Sequence, residues 1–318
     1  KRAALSTYRA QRRGGRGRRG MITKEEDIVW RLFVASTHAT LLFFTSAGRV
    51  FTRKVHEVPE VGSTARGRAM VNLLPLDPDE RIAALLAVRD FAEQSDAYLL
   101  FATRQGKVKR TSLSQYSNIR TTGIRAVTIM EGDDLLSVHL THDDAHVFMG
   151  TRDGRAIRFH ETDIRPMGRV SSGVRGINLR PGDRVEEVAT FDPGQSGDIL
   201  VVTDLGFGKR TPVADFRLQQ RGGLGVTLIR LTERNGRVAG IRHVDTGDQA
   251  LVVTERGMVI RFNVGEVRTT GRATQGVRLI RLDDDDHVVA LAKLVESEDA
   301  DADVLDEADD GSAAPSAD

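Results

Sequence analysis

A repeat of about fifty residues runs through this chain and constrains its fold more than any other feature. The four-residue signature Thr-x-x-Gly occurs five times, each time after an apolar run and before a basic one. The five copies span 45–48, 103–106, 151–154, 203–206 and 254–257. An apolar strand, a tight turn with glycine and a second strand are the marks of a β-hairpin. We therefore predict that each unit opens with a β-hairpin.

The second half of each unit repeats as well. A further glycine follows the hairpin glycine after 17 or 19 residues and leads into a β-like run. These glycines are Gly67, Gly123, Gly173, Gly225 and Gly276. An acid-rich turn and one more strand usually close the unit, and four short strands per unit are typical of a propeller blade. Five whole units and a partial one over residues 1–40 predict an all-β fold of six blades, the first incomplete at its N-terminus.

Charge is strongly segregated, although the formal net charge is only +1. Residues 296–318 contain ten acids and no Lys or Arg, so residues 1–295 hold 46 bases against 35 acids, a net charge of +11. This asymmetry predicts a domain at 1–295 that binds a polyanion, followed by an acidic, disordered tail at 296–318. The tail has two interpretations: a solvated segment that aids solubility, or an internal competitor that screens the basic surface.

Composition excludes several classes of function. Cysteine is absent, which rules out disulfides, thiol catalysis and thiolate metal sites and fits a reducing, cytoplasmic compartment. No apolar run approaches the roughly 20 residues of a membrane helix. We find no constellation of catalytic side chains, and we expect this chain to use no metal and no cofactor.

A basic heptapeptide near the N-terminus, which we call the box, joins three arginines to three glycines. It consists of Gln11, Arg12, Arg13, Gly14, Gly15, Arg16 and Gly17. It forms either a phosphate cradle or a flexible basic arm, because arginine forks match phosphate oxygens and glycine allows close backbone approach. Residues 8–17 align without a gap with residues 216–225, which favours a loop on a folded blade. We expect the three arginines to contact phosphates and Gln11 to bind a phosphate or the loop.

The chain resembles the C-terminal domain family of the DNA gyrase A protein, part of a bacterial type IIA topoisomerase. The features that carry this resemblance are the box, the repeated hairpins, the phrase ARGRAMVNLLPL at 65–76, the run TERNG at 232–236 and the acidic end. The resemblance covers residues 1 to about 295. It implies a six-bladed β-pinwheel with double-stranded DNA wrapped around its outer rim, so that the full enzyme introduces negative supercoils. It also implies that the catalytic tyrosine domain and the use of ATP and Mg²⁺ lie elsewhere in a heterotetramer of gyrase A and gyrase B, and that the isolated domain is a monomer.

Further basic residues recur on the second hairpin strands. If each set faces outward, they form a basic rim that binds DNA with little sequence specificity and strong salt dependence. The candidates are Arg49, Arg53, Lys107, Lys109, Arg110, Arg155, Arg158, Lys209, Arg210 and Arg261, together with Arg221 on the loop that aligns with the box.

Two other functions remain open. The chain could be the DNA-binding domain of a topoisomerase IV-type enzyme, in which the resemblance implies a degraded box, or a propeller scaffold whose rim binds acidic proteins. The intact box favours the gyrase type.

Overall fold

The computed structural model of the chain describes residue 2 and residues 35–61, 69–283 and 285–294. Regular structure in these ranges consists of β-strands and single-turn 3-10 helices. The strands are β1 (Thr40–Thr45), β2 (Arg49–Lys54), β3 (Ile82–Val88), β4 (Tyr98–Thr103), β5 (Lys107–Ser112), β6 (Ile124–Arg125), β7 (Leu135–Thr141), β8 (His146–Thr151), β9 (Arg155–His160), β10 (Val174–Arg175), β11 (Val185–Phe191), β12 (Asp198–Thr203), β13 (Phe207–Pro212), β14 (Val226–Thr227), β15 (Val238–Val244), β16 (Gln249–Thr254), β17 (Val259–Asn263), β18 (Val277–Arg278) and β19 (Val288–Leu294). The 3-10 helices are Val55–Glu57, Met70–Asn72, Leu113–Tyr116, Glu161–Asp163, Val213–Asp215 and Val264–Glu266.

The strands form five antiparallel sheets, which we call blades A to E. Their strand orders are β3-β1-β2-β6 in A, β10-β5-β4-β7 in B, β11-β8-β9-β14 in C, β15-β12-β13-β18 in D and β17-β16-β19 in E. The hairpin of a unit provides two strands, and its closing strand pairs beside the first of them. In blades A to D the remaining edge is a two-residue strand from the following unit. Neighbouring units therefore exchange strands.

The prediction of an all-β, propeller-like fold is confirmed, but the described residues form five blades where the repeat predicts six. The additional unit covers residues 1–40, of which residue 1 and residues 3–34 lie outside the described residues. Arg2 forms a parallel bridge with Glu60. The same bridge recurs in later units, in the pairs Arg110–Pro166, Arg158–Leu218 and Arg210–Thr269. Arg2 therefore holds the repeat position of these later arginines.

The Thr-x-x-Gly signature is explained by the geometry of the hairpin turn. In blade B the N–H of Gly106 donates to the carbonyl of Thr103 at 3.0 Å, and the hydroxyl of Thr103 accepts from the N–H of Lys107 at 3.2 Å. Gly106 has a φ of +79°, a conformation that favours glycine. The threonine thus satisfies a backbone donor that the tight turn leaves unpaired. The threonine hydroxyl accepts the same backbone N–H in all five hairpins.

The hydrophobic core lies mainly between blades. Leu99 and Phe101 of β4 pack towards blade A, while Leu100 and Ala102 of the same strand pack towards blade C. Successive side chains of a strand point to opposite faces, so a strand that is covered on both faces is apolar at consecutive positions. This explains why the central strands read as continuous apolar runs.

Candidate nucleic-acid interface

The box lies outside the described residues, and so does the acidic tail at 296–318. The roles of Gln11, Arg12, Arg13, Gly14, Gly15, Arg16 and Gly17 therefore stay predictions. The structure does place every other candidate. It divides those on the second hairpin strands into three groups according to their position, and Arg221 lies on a loop.

The first group directly follows the hairpin glycine and lies beside the short strand contributed by the next unit. Arg155 donates from Nε to the carbonyl of Leu224 at 2.8 Å and from Nη2 to that of Gly225 at 2.7 Å. Arg49 donates to the carbonyl of Thr122 at 3.1 Å and forms ion pairs with two acids of its own unit. Lys107 holds the same position in blade B and is half-buried. These residues border the seam between two units and retain partial exposure.

The second group follows three or four positions later and mostly binds backbone carbonyls. Arg210 is buried and donates to the carbonyl of Val267 at 2.7 Å. Arg158 donates to the carbonyl of Val213 at 3.1 Å, and Arg53 donates to that of Leu73 at 2.9 Å. The remaining members are Arg110, which is buried and pairs with Asp143, and Arg261, which is exposed and bonds Gln249.

The third group consists of Lys109 and Lys209, which are buried residues with relative exposures of 1% and 0%. Burial lowers the pKa of Lys109 to about 7 and that of Lys209 to about 8, and a neighbouring arginine adds to each shift. The condition on which the basic rim depends, that each set faces outward, is therefore not met by Lys109, Lys209, Arg110 and Arg210. Both faces of the strand are covered by neighbouring blades, so these cations must find partners inside the protein.

Arg221 lies on the loop that aligns with the box and binds the preceding unit. Its Nε donates to the carbonyl of Asp163 at 2.9 Å, and its Nη1 donates to that of Arg175 at 3.1 Å. Part of its surface remains accessible. Arg221 thus anchors the loop 219–225 between two blades.

The structure adds three exposed arginines that the sequence analysis missed. Arg125, Arg175 and Arg278 are the second residues of the short strands β6, β10 and β18. The signal was present in the sequence, because each stands two positions after the second glycine of its unit, within a run taken only as β-structure. Short edge strands on a blade seam place such side chains in solvent.

Two of these arginines stand directly opposite the first group across the strand pairs, whereas Arg278 stands opposite Phe207. Arg49 faces Arg125, and Lys107 faces Arg175. Like charges at directly opposite positions destabilise a sheet. Acids offset the first pair through Arg49, whereas neither Lys107 nor Arg175 forms an ion pair within the described residues. We call the set Arg49, Lys107, Arg125, Arg155, Arg175 and Arg278 the cationic row.

The rim loops of successive units are linked to one another by hydrogen bonds. The N–H of Asn178 donates to the carbonyl of Gly223 at 2.9 Å, and equivalent bonds join Thr128 to Ser171 and Arg230 to Thr274. Each bond connects one unit to the loop of the next. The spacing of the cationic row is thereby fixed by the backbone.

Comparison with known proteins identifies relatives for nearly the whole chain. A family model described as the DNA gyrase C-terminal domain, a beta-propeller, matches residues 1–34, 39–89, 97–142, 145–192, 197–245 and 248–294. The DNA gyrase A protein of Staphylococcus aureus strain MRSA252 is 46% identical over 307 residues, which is 96% of this chain and 34% of the relative. The same protein of strain NCTC 8325 is 46% identical over 296 residues, 93% of this chain and 33% of the relative. The chain thus spans about a third of the length of these relatives.

Solved structures share the architecture. The C-terminal domain of a DNA topoisomerase IV superposes with a TM-score of 0.76 at 28% identity, covering 81% of this chain and 80% of that one. A DNA gyrase A C-terminal domain gives a TM-score of 0.69 at 24% identity, covering 82% and 84%, and supports the fold alone. Among the described residues, none belongs to a helix with the length and apolar character that a bilayer crossing requires.

Proposed function

Because the chain belongs to the DNA gyrase C-terminal domain family, we propose that it binds duplex DNA along the cationic row and bends it, without catalysing a reaction itself. The observation that carries this proposal is the uncompensated pair of Lys107 and Arg175. Two cations held face to face cost folding free energy, and a polyanion that contacts both removes that cost. A scaffold without an anionic ligand gains nothing from this arrangement.

The free energies of bending and of phosphate contact are of similar size. Bending DNA through a half-turn costs around 10 kcal/mol, by extension of the elastic cost of smaller bends. One phosphate contact contributes about 1.2 kcal/mol at 0.1 M salt through counterion release. Five cations of the row form no ion pair among the described residues and would contribute about 6 kcal/mol, and the three box arginines about 3.5 kcal/mol. Row and box together therefore come close to offsetting the cost of the bend, whereas each alone falls well short of it.

The finer features of the proposal follow from the family and the repeat. Residues 1–34 would belong to a sixth blade, for which the matched family segment and the bridge between Arg2 and Glu60 are the support. The box would clamp one end of the bent DNA, and the tail at 296–318 would weaken binding by screening the row. Within a full cytoplasmic gyrase, whose other parts supply strand passage and ATP hydrolysis, the bend would set the handedness of supercoiling.

A topoisomerase IV-type domain is the second candidate, because a domain of that enzyme superposes well and is 28% identical. Such a domain would bind DNA without wrapping it strongly. The 46% identity to the gyrase A protein favours the wrapping function.

Ligation of a nicked plasmid in the presence of the domain separates these functions. We expect the linking number to shift in proportion to bound protein, because a wrap traps writhe. The variant that changes Arg125, Arg175 and Arg278 to Gln should lose the shift, whereas Arg89→Gln, which alters an exposed arginine at the far end of blade A, should retain it. DNA binding with an unchanged linking number would favour the topoisomerase IV type, and absence of binding would favour a protein scaffold.

A further inference from the structure

Two buried lysines occupy a position that is apolar in the other three described blades. Lys109 lies opposite Phe101 in blade B, and Lys209 has the equivalent register in blade D. The corresponding residues elsewhere are Phe51 in blade A, Ile157 in blade C and Ile260 in blade E. A hydrophobic side chain therefore suits this site, and core packing alone does not require lysine.

Both lysines bind the rim loop of the following unit from inside the fold, and Lys109 also binds one carbonyl of its own unit. The Nζ of Lys109 donates to the carbonyls of Ala126 at 2.6 Å and Arg169 at 2.5 Å. The Nζ of Lys209 donates to the carbonyls of Gly271 at 2.8 Å and Arg272 at 2.7 Å. An ammonium group withdrawn from water is tolerated only where such acceptors replace the lost hydration. The lysines and the loop backbones are thus mutually dependent.

Blade C holds its loop differently. Its position beneath the loop is Ile157, and Arg221 provides the anchor from within the loop through two carbonyls of the preceding unit. Arg169, Arg221 and Arg272 all stand four residues before a glycine of positive φ, so they are equivalent in the repeat. Where lysine is present it makes the shorter bonds to the loop, at 2.5–2.8 Å, and Arg272 adds only a long one to the carbonyl of Thr227 at 3.5 Å.

At the two loops that are anchored by lysine, two positive charges lie close together, an arrangement that favours the binding of an anion. Arg169 and Lys109 bring two cations together, and the charge of Arg169 adds to burial in lowering the lysine pKa. Arg272 has the same effect on Lys209, where Asp215 partly opposes it. A phosphate at the loop arginine would relieve the repulsion in each case. Val170 next to Arg169 is 71% exposed, so the loop is open to a ligand as large as DNA.

We propose that Lys109 and Lys209 are positioning residues, which fix the loops 168–173 and 270–276 so that Arg169 and Arg272 each contact one DNA phosphate. Neither lysine touches DNA, because both are enclosed by the blades. The inference rests on the proposed DNA-binding function and extends it by two contacts outside the cationic row and the box.

The test replaces each lysine by methionine, which keeps an unbranched stem and removes the donor. We expect the affinity for a random-sequence duplex to fall about eightfold at 0.1 M salt for each variant, the factor of one phosphate contact. The slope of log affinity against log salt should become shallower by about 1. The domain should stay folded, because apolar residues fill this position in blades A, C and E, and removal of a buried cation offsets the lost hydrogen bonds to the loop carbonyls. Ile157→Met is the matched control and should change neither quantity.

A double-mutant cycle provides the readout that a purely structural role would not give. Arg169→Gln should weaken binding to the same extent as Lys109→Met, and the double variant should be no weaker than either single variant. Additive losses, or an unchanged affinity and salt slope for Lys109→Met and Lys209→Met, would overturn the inference. If the unmodified domain fails to bind DNA, the proposed function fails instead, so the two failures are distinct.

Discussion

The opposed cations Lys107 and Arg175 predict that one substitution will stabilise the domain and weaken its binding of DNA. Their Cα atoms are direct partners in the pairing of β5 with β10, and neither side chain has an acidic partner among the described residues. Replacing Arg175 with Gln removes the repulsion and keeps a polar side chain of similar length. A like-charge pair at directly opposite positions costs about 0.2–1 kcal/mol. For a domain of this size, we expect a rise in Tm of up to about 3 °C.

The matched control is Arg125→Gln in blade A. Its partner Arg49 already pairs with Asp77 and Glu80, each at 3.0 Å, so little repulsion remains to be removed. The Tm of this variant should change by less than that of Arg175→Gln. Both variants should lose about eightfold in DNA affinity at 0.1 M salt, because each removes one phosphate contact.

The assay pairs thermal unfolding with fluorescence anisotropy on a labelled duplex over a range of salt concentrations. A thermal cycle of Lys107→Gln, Arg175→Gln and the double variant isolates the interaction between the two cations. The expected coupling is unfavourable in the unmodified protein. A zero or favourable coupling, or an unchanged DNA affinity in Arg175→Gln, would refute the reasoning that this pair is kept for a polyanion.

Three further predictions concern the loops, the buried charge and the tail. Gly173→Ala should destabilise the domain by about 1–3 kcal/mol in chemical denaturation, because φ is +83° and a Cβ would lie 2.4 Å from the carbonyl oxygen of Val108. The control Gly168→Ala should be nearly neutral, because a Cβ there would meet no atom within 4 Å. Stability should rise with pH between 7 and 9, because Lys109, beside Arg169 and Tyr116, and Lys209, beside Arg272 and Asp215, have pKa values of about 7 and about 8 in the fold and 10.5 when unfolded, so the unfolded chain binds more protons. Lys109→Met should make this rise smaller and leave the part that Lys209 contributes, and an identical profile would contradict the reasoning. Deleting residues 296–318 should tighten DNA binding most at low salt, and equal affinities at low salt would exclude the screening role.

The strand pattern could be predicted from the sequence because its signals are local. Thr103 and Gly106 satisfy and shape one turn within four residues, so a hairpin is visible wherever the pair recurs. The same applies to Gly173, whose positive φ marks the entry to β10. Local chemistry of this kind needs no knowledge of the neighbouring blade.

Which basic side chains are exposed and which are buried could not be predicted from such local signals. Lys107 and Lys109 lie on the same face of β5 and are separated by one residue, yet the first is half-buried at the seam and the second is enclosed. What encloses Lys109 is the loop 168–173 of the following unit, about sixty residues away in the chain. Arg175 was missed for the converse reason, since a β-like run gave no sign that its strand would lie at an exposed edge. Whether a cation of one unit is exposed therefore depends on how the following unit packs against it.

The exchange of short strands has a consequence for synthesis on the ribosome. The sheet of blade B is complete only when Val108 of β5 pairs with Val174 of β10, which is synthesised more than sixty residues later. In a nascent chain, the newest folded blade therefore lacks the short edge strand that the next unit will provide. When that unit is synthesised, it completes this blade and becomes the one with the unpaired edge. A pause in translation, wherever it falls among the described units, would leave a single strand edge able to pair with a neighbouring nascent chain.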